Sequence, residues 1–352
     1  DCVPLYFYDP IHHAIGLSHA GWRGTVNGMA KATVEKMQEE FDTRPEDLLA
    51  AIGPSIAKEC FVNCMSLQEI ELPEGLEEIG KSAFEGCSSL KRIVIPEGVR
   101  SIREKTFCEC TALQEIRLPD GLELIGRSAF SECEALQEIR LPDGLKEIGS
   151  DAFSGCRSLR QITVPVGVKC IETAVFQSCR ALQEVHLPEG LEQIGMFAFE
   201  DCDTLTRIVL PASLKRLCRG AFENCTSLLE AQLPDGLEEL QDDAFEYCRS
   251  LQKVTIPAQV RQIERAAFYY CQSLQEVQLP EELNEIGEDA FAHCWALKRI
   301  VIPAGVEKVG EHAFWECYSL QNIAVLSDDT EIAEDAFEDC PGTVKRGTGS
   351  LF

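Results

Sequence analysis

The chain has 352 residues, 45% of them hydrophobic, and a formal net charge of −27. That apolar share is enough for a packed core and excludes a disordered chain. The acidic excess excludes a nucleic acid polymer or an anionic membrane as partner, because phosphate recognition runs on Lys and Arg. No apolar run reaches the ~20 residues of a transmembrane segment, and no signal peptide is visible. Asp1, in place of an initiating Met, points to a segment upstream.

Residues 1–60 follow no repeat and read as α/β material. Val3–Tyr8 and Ala14–Ser18 are expected strands. From Thr25 to Phe41 the residues Val26, Met29, Ala30, Thr33, Val34, Met37 and Phe41 fall at helical spacing. A second helix is expected to start at Thr43, where Glu46 completes a capping box and Pro45 suits the first turn.

Three strings in this segment carry a resemblance: D-C-V-P-L-Y-F-Y-D-P at the start, H-A-G-W-R-G at His19–Gly24, and G-P-S-I at Gly53–Ile56. Together they resemble the multicopper polyphenol oxidase family, also described as YfiH-like laccase-domain proteins. The resemblance implies a purine nucleoside phosphorylase with a deaminating side activity and a zinc or copper site built from two His and one Cys. Cys2 and His19 match two of those ligands, and Arg23 matches an implied anion contact. The third ligand, a His upstream of the D-C-x-P string, has no counterpart. A Cys and two His leave a fourth metal position open for water or substrate, whereas two ligands hold a metal poorly. The family pattern stops after Ile56, so about a quarter of such a domain is present. The expectation is a partial laccase-domain fragment that caps the first repeat coil.

Residues 61–340 are a repeat. Thirteen cysteines recur every 23 residues from Cys64 to Cys340, with Phe three places before each and Leu three places after most. The unit is A-F-x-x-C-x-x-L-x-x-I-x-L-P-x-G-L-x-x-I-G-x-x, with no insertion or deletion. A fixed period of this length means stacked supersecondary units. Ile70 and Leu72 alternate with polar residues, as a strand with one buried face requires. Pro73 ends that strand and Gly75 turns it, while Leu76 and Ile79 re-enter the core. One coil cannot bury these groups, and stacked coils can. The cysteines are then small buried hydrophobes with free thiols. One thiol per coil builds no tetrahedral metal site.

The unit, with its I-G-x-x-A-F-x-x-C-x-x-L core, closely resembles the BspA-like leucine-rich repeat family. The resemblance implies a β-rich, right-handed leucine-rich-repeat solenoid with parallel strands and 23-residue coils. It also implies surface adhesion and binding of protein or glycan at the cell surface, whereas the N-terminal family implies the cytoplasm.

Three surface columns stand out. The position five after each Cys alternates in charge over much of its length: Glu69, Arg92, Glu115, Glu138, Gln161, Glu184, Arg207, Glu230, Lys253, Glu276, Arg299, Asn322. Coils ~4.8 Å apart let such neighbours pair; only Glu115 and Glu138 repeat a sign, relieved by Arg117 and Arg140. A second column, including Glu74, Glu97, Asp120 and Asp143, makes a solvated acidic edge near the turn. Third, every Tyr and Trp of the repeats lies late: Tyr247, Tyr269, Tyr270, Trp295, Trp315 and Tyr318, with His293 and His312. Stacking gathers them either into a partner-binding patch or into a cover for the C-terminal core. The tail, 341–352, is short and polar and is expected to fray.

Overall fold

The computed structural model describes residues 3–9, 14–20, 29–42, 44, 49–52 and 60–347. The chain forms two compact units, Asp1–Val168 and Lys169–Phe352. Each contains a pile of repeat coils whose strands run parallel, as the family resemblance implies.

The first unit opens with a three-stranded antiparallel sheet in the order β2-β1-β3, formed by β1 (Val3–Asp9), β2 (Ala14–Ala20) and β3 (Leu49–Ile52). Helix α1 (Met29–Phe41) packs on β2. Its Thr33 and Val34 are half-buried and its Met37 buried, on the face set by the apolar spacing. Lys36–Glu40 at 2.7 Å ties the opposite face. The second helix expected from Thr43 falls outside the described residues except at Arg44; by Leu49 the chain is a strand, with the β-prone run Leu49–Ile52 edged onto β1.

The first unit's coils then pile upward. Phe61, Phe84, Phe107 and Phe130 stack with ring centroids 5.1, 5.3 and 5.5 Å apart and planes within 5° of parallel. That separation with parallel planes is an offset stack, the arrangement the ring quadrupole favours. Beside each ring runs the thiol column. Cys87 Sγ donates to the Phe61 carbonyl at 3.1 Å, and Cys110 Sγ to that of Phe84 at 3.2 Å. The cysteine therefore does more than fill space, because its S–H satisfies a buried carbonyl of the preceding coil. Cys87, Cys110 and Cys133 keep their thiols free of disulfides. Burial pushes the Cys87 and Cys133 thiols well above their ordinary value.

Successive coils also contribute a second, two-residue strand not anticipated from the sequence, such as Ser101–Ile102, Leu124–Ile125 and Glu147–Ile148. The glycine that comes next is there for close approach. A Cβ on Gly126 would stand 2.7 Å from the Glu104 nitrogen and 2.8 Å from the Arg103 carbonyl carbon.

The second unit repeats this plan from Phe176 to Phe337, with neighbouring ring centroids 5.0–5.5 Å apart. At its end, residues 343–346 of the tail expected to fray form one more strand, and residues 348–352 lie outside the described part. Thr343–Arg346 pairs in parallel with Asn322–Val325, and Arg346 Nη1 donates to the Asp328 and Thr330 carbonyls. An open parallel edge offers unpaired N–H and C=O groups, and this short polar strand covers them.

The outward column pairs as its charges require. Arg92 reaches Glu69 at 2.8 Å, Arg207 reaches Glu230 at 3.2 Å, and both Lys253 and Arg299 reach Glu276, at 3.6 and 3.5 Å. The exception has a structural consequence. Glu115–Arg117 is a strand paired with Arg92–Val94, but Leu136–Pro142 of the next coil is not a strand. There Glu138 would lie beside Glu115 and Arg140 beside Arg117, and like charges directly opposite oppose pairing. Arg117 turns instead to Glu115 of its own coil, at 3.5 Å. Exchanging the two charges, as E138R/R140E, leaves net charge unchanged and sets opposite signs in both columns. We expect the denaturation midpoint to rise, by about 0.2–1 kcal/mol per repaired pair, with the gain shrinking at high salt; an unchanged midpoint at low salt would show that charge does not cause the gap.

Candidate functional site

The late aromatic residues come from two adjacent columns of the second unit. One, directly after the ladder Phe, reads Glu200, Glu223, Glu246, Tyr269, Ala292, Trp315; the next reads Asp201, Asn224, Tyr247, Tyr270, His293, Glu316. Backbone hydrogen bonds hold successive coils in this register: Asn224 N to Glu246 O at 2.7 Å, Tyr247 N to Tyr269 O at 2.8 Å, and His293 N to Trp315 O at 2.8 Å. The second column lies in left-handed backbone, with φ of 57° at Tyr247, 58° at Tyr270 and 59° at His293.

The rings form one connected cluster. Tyr270 sits 5.2 Å from Tyr247, 5.1 Å from Tyr269, 4.2 Å from His293 and 5.9 Å from Trp295. His293 touches Trp315 at 4.6 Å, and Trp295 reaches Tyr318 at 6.3 Å. His312, on the far side of Trp315, lies 5.3 Å from it and pairs with Asp335 at 3.4 Å. His293 is the cluster's buried centre, 5% exposed. Its Nδ1 stands 2.9 Å from Glu316 Oε2 but makes no aligned hydrogen bond there. Trp295 and Tyr318 are 37% and 53% exposed, so the cluster has a solvent face as well as a buried one. Tyr269, Tyr270 and Trp315 are half-buried, and Trp295 with Tyr318 is open surface.

The titratable groups around the rings divide in two. Burial raises the Tyr269 hydroxyl to about 12, and a hydrogen bond to Glu316 raises that of Tyr318 to about 12. Both rings stay neutral amphipathic surfaces at physiological pH. Beyond Tyr269, the same column continues as half-buried carboxylates that the sequence does not single out. Burial first, then Glu200 and Asp243, pushes Glu223 up to about 7. Burial, then Asp243 and Glu223, does the same for Glu246. Asp243 itself is 2% exposed and clasped by Arg219 at 2.9 Å and Arg265 at 3.0 Å. A signal is present, as three Glu at 23-residue spacing on the rungs before Tyr269, but the many exposed acids of the turn edge mask it.

The N-terminal candidates are less defined. His19 lies on β2 opposite Pro4 of β1 along the backbone, while Cys2, Arg23 and the His19 side chain lie outside the described part. Among the described residues no group of three His, Cys, Asp or Glu is placed to hold a metal ion. Nor is any helix among the described residues long and apolar enough to cross a membrane.

Known proteins match in two blocks. The model of the BspA type leucine rich repeat region fits residues 54–182, 146–274 and 238–345. That of the multi-copper polyphenol oxidoreductase laccase fits residues 1–70. A leucine-rich repeat protein from Bacteroides ovatus superposes with a TM-score of 0.68 at 32% identity, over 83% of this chain and 81% of that one. Over 61 residues, 17% of this chain, there is 46% identity to purine nucleoside phosphorylase YlmD of Bacillus subtilis (strain 168), covering 22% of that protein. A purine nucleoside phosphorylase of Bacteroides thetaiotaomicron is 51% identical over 61 residues and 23% of its length. The chain thus spans less than a quarter of the curated relatives it matches.

The carboxylate column makes a pH prediction. A folded value near 7 against the ordinary 4.5 means that Glu223 and Glu246 support the fold fully below 4.5 and lose that support as pH rises through about 7. E223Q/E246Q should therefore be more stable than the parent at pH 8, by on the order of 1 kcal/mol per site after allowing for solvent screening. Urea midpoints at pH 8 and pH 5 check this, because the difference should close at the lower pH.

Proposed function

Because the chain belongs to the BspA-type leucine-rich repeat family, we propose that its repeats form a non-enzymatic protein-binding scaffold that docks a partner on the aromatic cluster. The supporting observation is the exposed pair Trp295 and Tyr318, joined through Tyr270 to buried His293 and half-buried Trp315. A rigid ring with one face packed and one open binds at small entropic cost, which is why Tyr and Trp dominate binding hot spots. In this reading the chain acts in adhesion at the cell surface, the role its repeat family implies.

The N-terminal segment is proposed to serve as a cap. Phe61, which starts the ladder, is only 1% exposed, so its outer side is covered from the N-terminal direction. Lys31 of α1 lies close enough to Cys64 of the first coil for its charge to act on that thiol. A solenoid needs such cover over its first hydrophobic layer. The purine nucleoside phosphorylase activity named for the relatives belongs to proteins more than four times as long as the matched segment, and we do not extend it to this chain.

Two measurements test these readings. Immobilised wild-type chain and W295A/Y318A are compared for the proteins they retain, by quantitative mass spectrometry. We expect at least one protein depleted about thirtyfold from the variant, as loss of a ~2 kcal/mol hot spot implies; identical retained sets remove the cluster as the docking site. Separately, the chain is incubated with adenosine, phosphate and zinc. No adenine release above blank is expected, and release that disappears in Cys2→Ala would restore the enzyme reading.

A further inference from the structure

The proposed docking face leaves open what chemistry it accepts, and the carboxylates beside it narrow the choice. Glu200, Glu223 and Glu246 occupy successive coils of one column and lead directly to Tyr269 on the next. Coils at ~4.8 Å make this a rail roughly 10 Å long, the reach of about three extended residues. Asp201 lies beside it.

Such a rail is ordinarily neutralised in place, as the outward strand column is by Arg207, Lys253 and Arg299. Here it is not. The nearest arginines, Arg219 and Arg265, are both drawn onto buried Asp243. Glu200 is met by the amide of Gln177, and Asp201 by Ser178 and Asn224, none of them charged. Among the described residues neither Glu223 nor Glu246 has an ion-pair partner. Where the rail meets the rings, the protein already shows the complementary contact, because the Arg249 guanidinium carbon lies 5.8 Å from the Tyr247 ring centroid. A cation over an aromatic face is stabilised by the ring quadrupole.

We propose that the rail and the aromatic cluster together bind a cationic segment of a protein partner, its Lys or Arg side chains lying along Glu200, Glu223 and Glu246 and over the Tyr and Trp rings. This rests on the reading of the cluster as the docking face and adds the partner's chemistry. The partner supplies the counter-charge that the fold withholds, and the rings discriminate such a segment from a simple polycation by stacking on planar guanidinium groups.

The test uses the full chain and a fluorescein-labelled alternating Arg-Gly peptide, read by fluorescence anisotropy, with the Glu-Gly peptide as comparison. E200Q/E223Q/E246Q removes the rail. E189Q/D235N/E281Q removes equal charge from the exposed turn edge of the same unit, and W295A/Y318A removes the open rings. Circular dichroism confirms that each variant is folded. The Arg-Gly peptide should bind, and the rail and ring variants should each weaken it about tenfold. The turn-edge variant should leave it unchanged, and Glu-Gly should not bind. Equal losses in the two charge variants would mean diffuse attraction to a chain of net charge −27 and would overturn the proposal, as would failure of Arg-Gly to bind. If Arg-Gly fails while W295A/Y318A still loses its captured protein, the docking face stands and the cationic chemistry is wrong.

Discussion

Register between coils is the constraint on which the rest of the molecule depends. Parallel strands impose a rise of about 4.8 Å, and the phenylalanine rings within each unit accept it at 5.0–5.5 Å with near-parallel planes. Whatever side chain stands at one position therefore meets its counterpart one coil above and below. Rings and thiols gain from meeting themselves. A ring finds an offset partner on each side, and a thiol finds the carbonyl of the previous coil's Phe.

Charges do not gain from it, and the surface shows three responses to that fact. Where signs alternate, as at Arg207 and Glu230, the charges pair and so do the two strands, although at Glu276 and Arg299 the charges pair while the sheet ends between their coils. Where Glu115 and Glu138 repeat a sign with Arg117 and Arg140 beside them, the strand is lost from the next coil. Where three Glu stack at half-buried positions, the strands are elsewhere in the coil and survive, and the carboxylates hold their protons more tightly instead. The same geometric repetition yields pairing, interruption or a shifted titration according to where in the coil the column runs.

This explains what could be read from the sequence. The period, the buried Phe and Cys, the first strand of most coils and the clustering of late aromatics all come from spacing alone, because a column is visible as a fixed interval. The short second strand at Ser101–Ile102 was hidden, since two residues are too few to show alternation. So was the terminal strand Thr343–Arg346, whose polar side chains carry no pattern and which is a strand only because an open edge precedes it. At the site, adjacency of Tyr270 to His293 and Trp295 was legible. The division between half-buried and open rings was not, because it depends on which way each ring turns. Nor was the capture of Arg219 and Arg265 by Asp243, a contact set by local backbone conformation as much as by interval.

That backbone conformation bears on why the rings are where they are. The second position after each ladder Phe is left-handed throughout, with φ near 57° at Asn63 and Asn224 and 71° and 74° at Gly86 and Gly155. Gly and Asn adopt this region at little cost, whereas a bulky side chain there is strained by about 1 kcal/mol or more. Tyr247, Tyr270 and His293 occupy it on three successive coils. Ring contacts at 5.2 and 4.2 Å offset part of that strain, and they require a ring on each of the three coils. The backbone is left-handed at Glu109, Glu132 and Glu316 as well, so φ alone does not single out this surface; what does is that three rings meet on consecutive coils beside Glu200, Glu223 and Glu246, which have no ion-pair partner among the described residues.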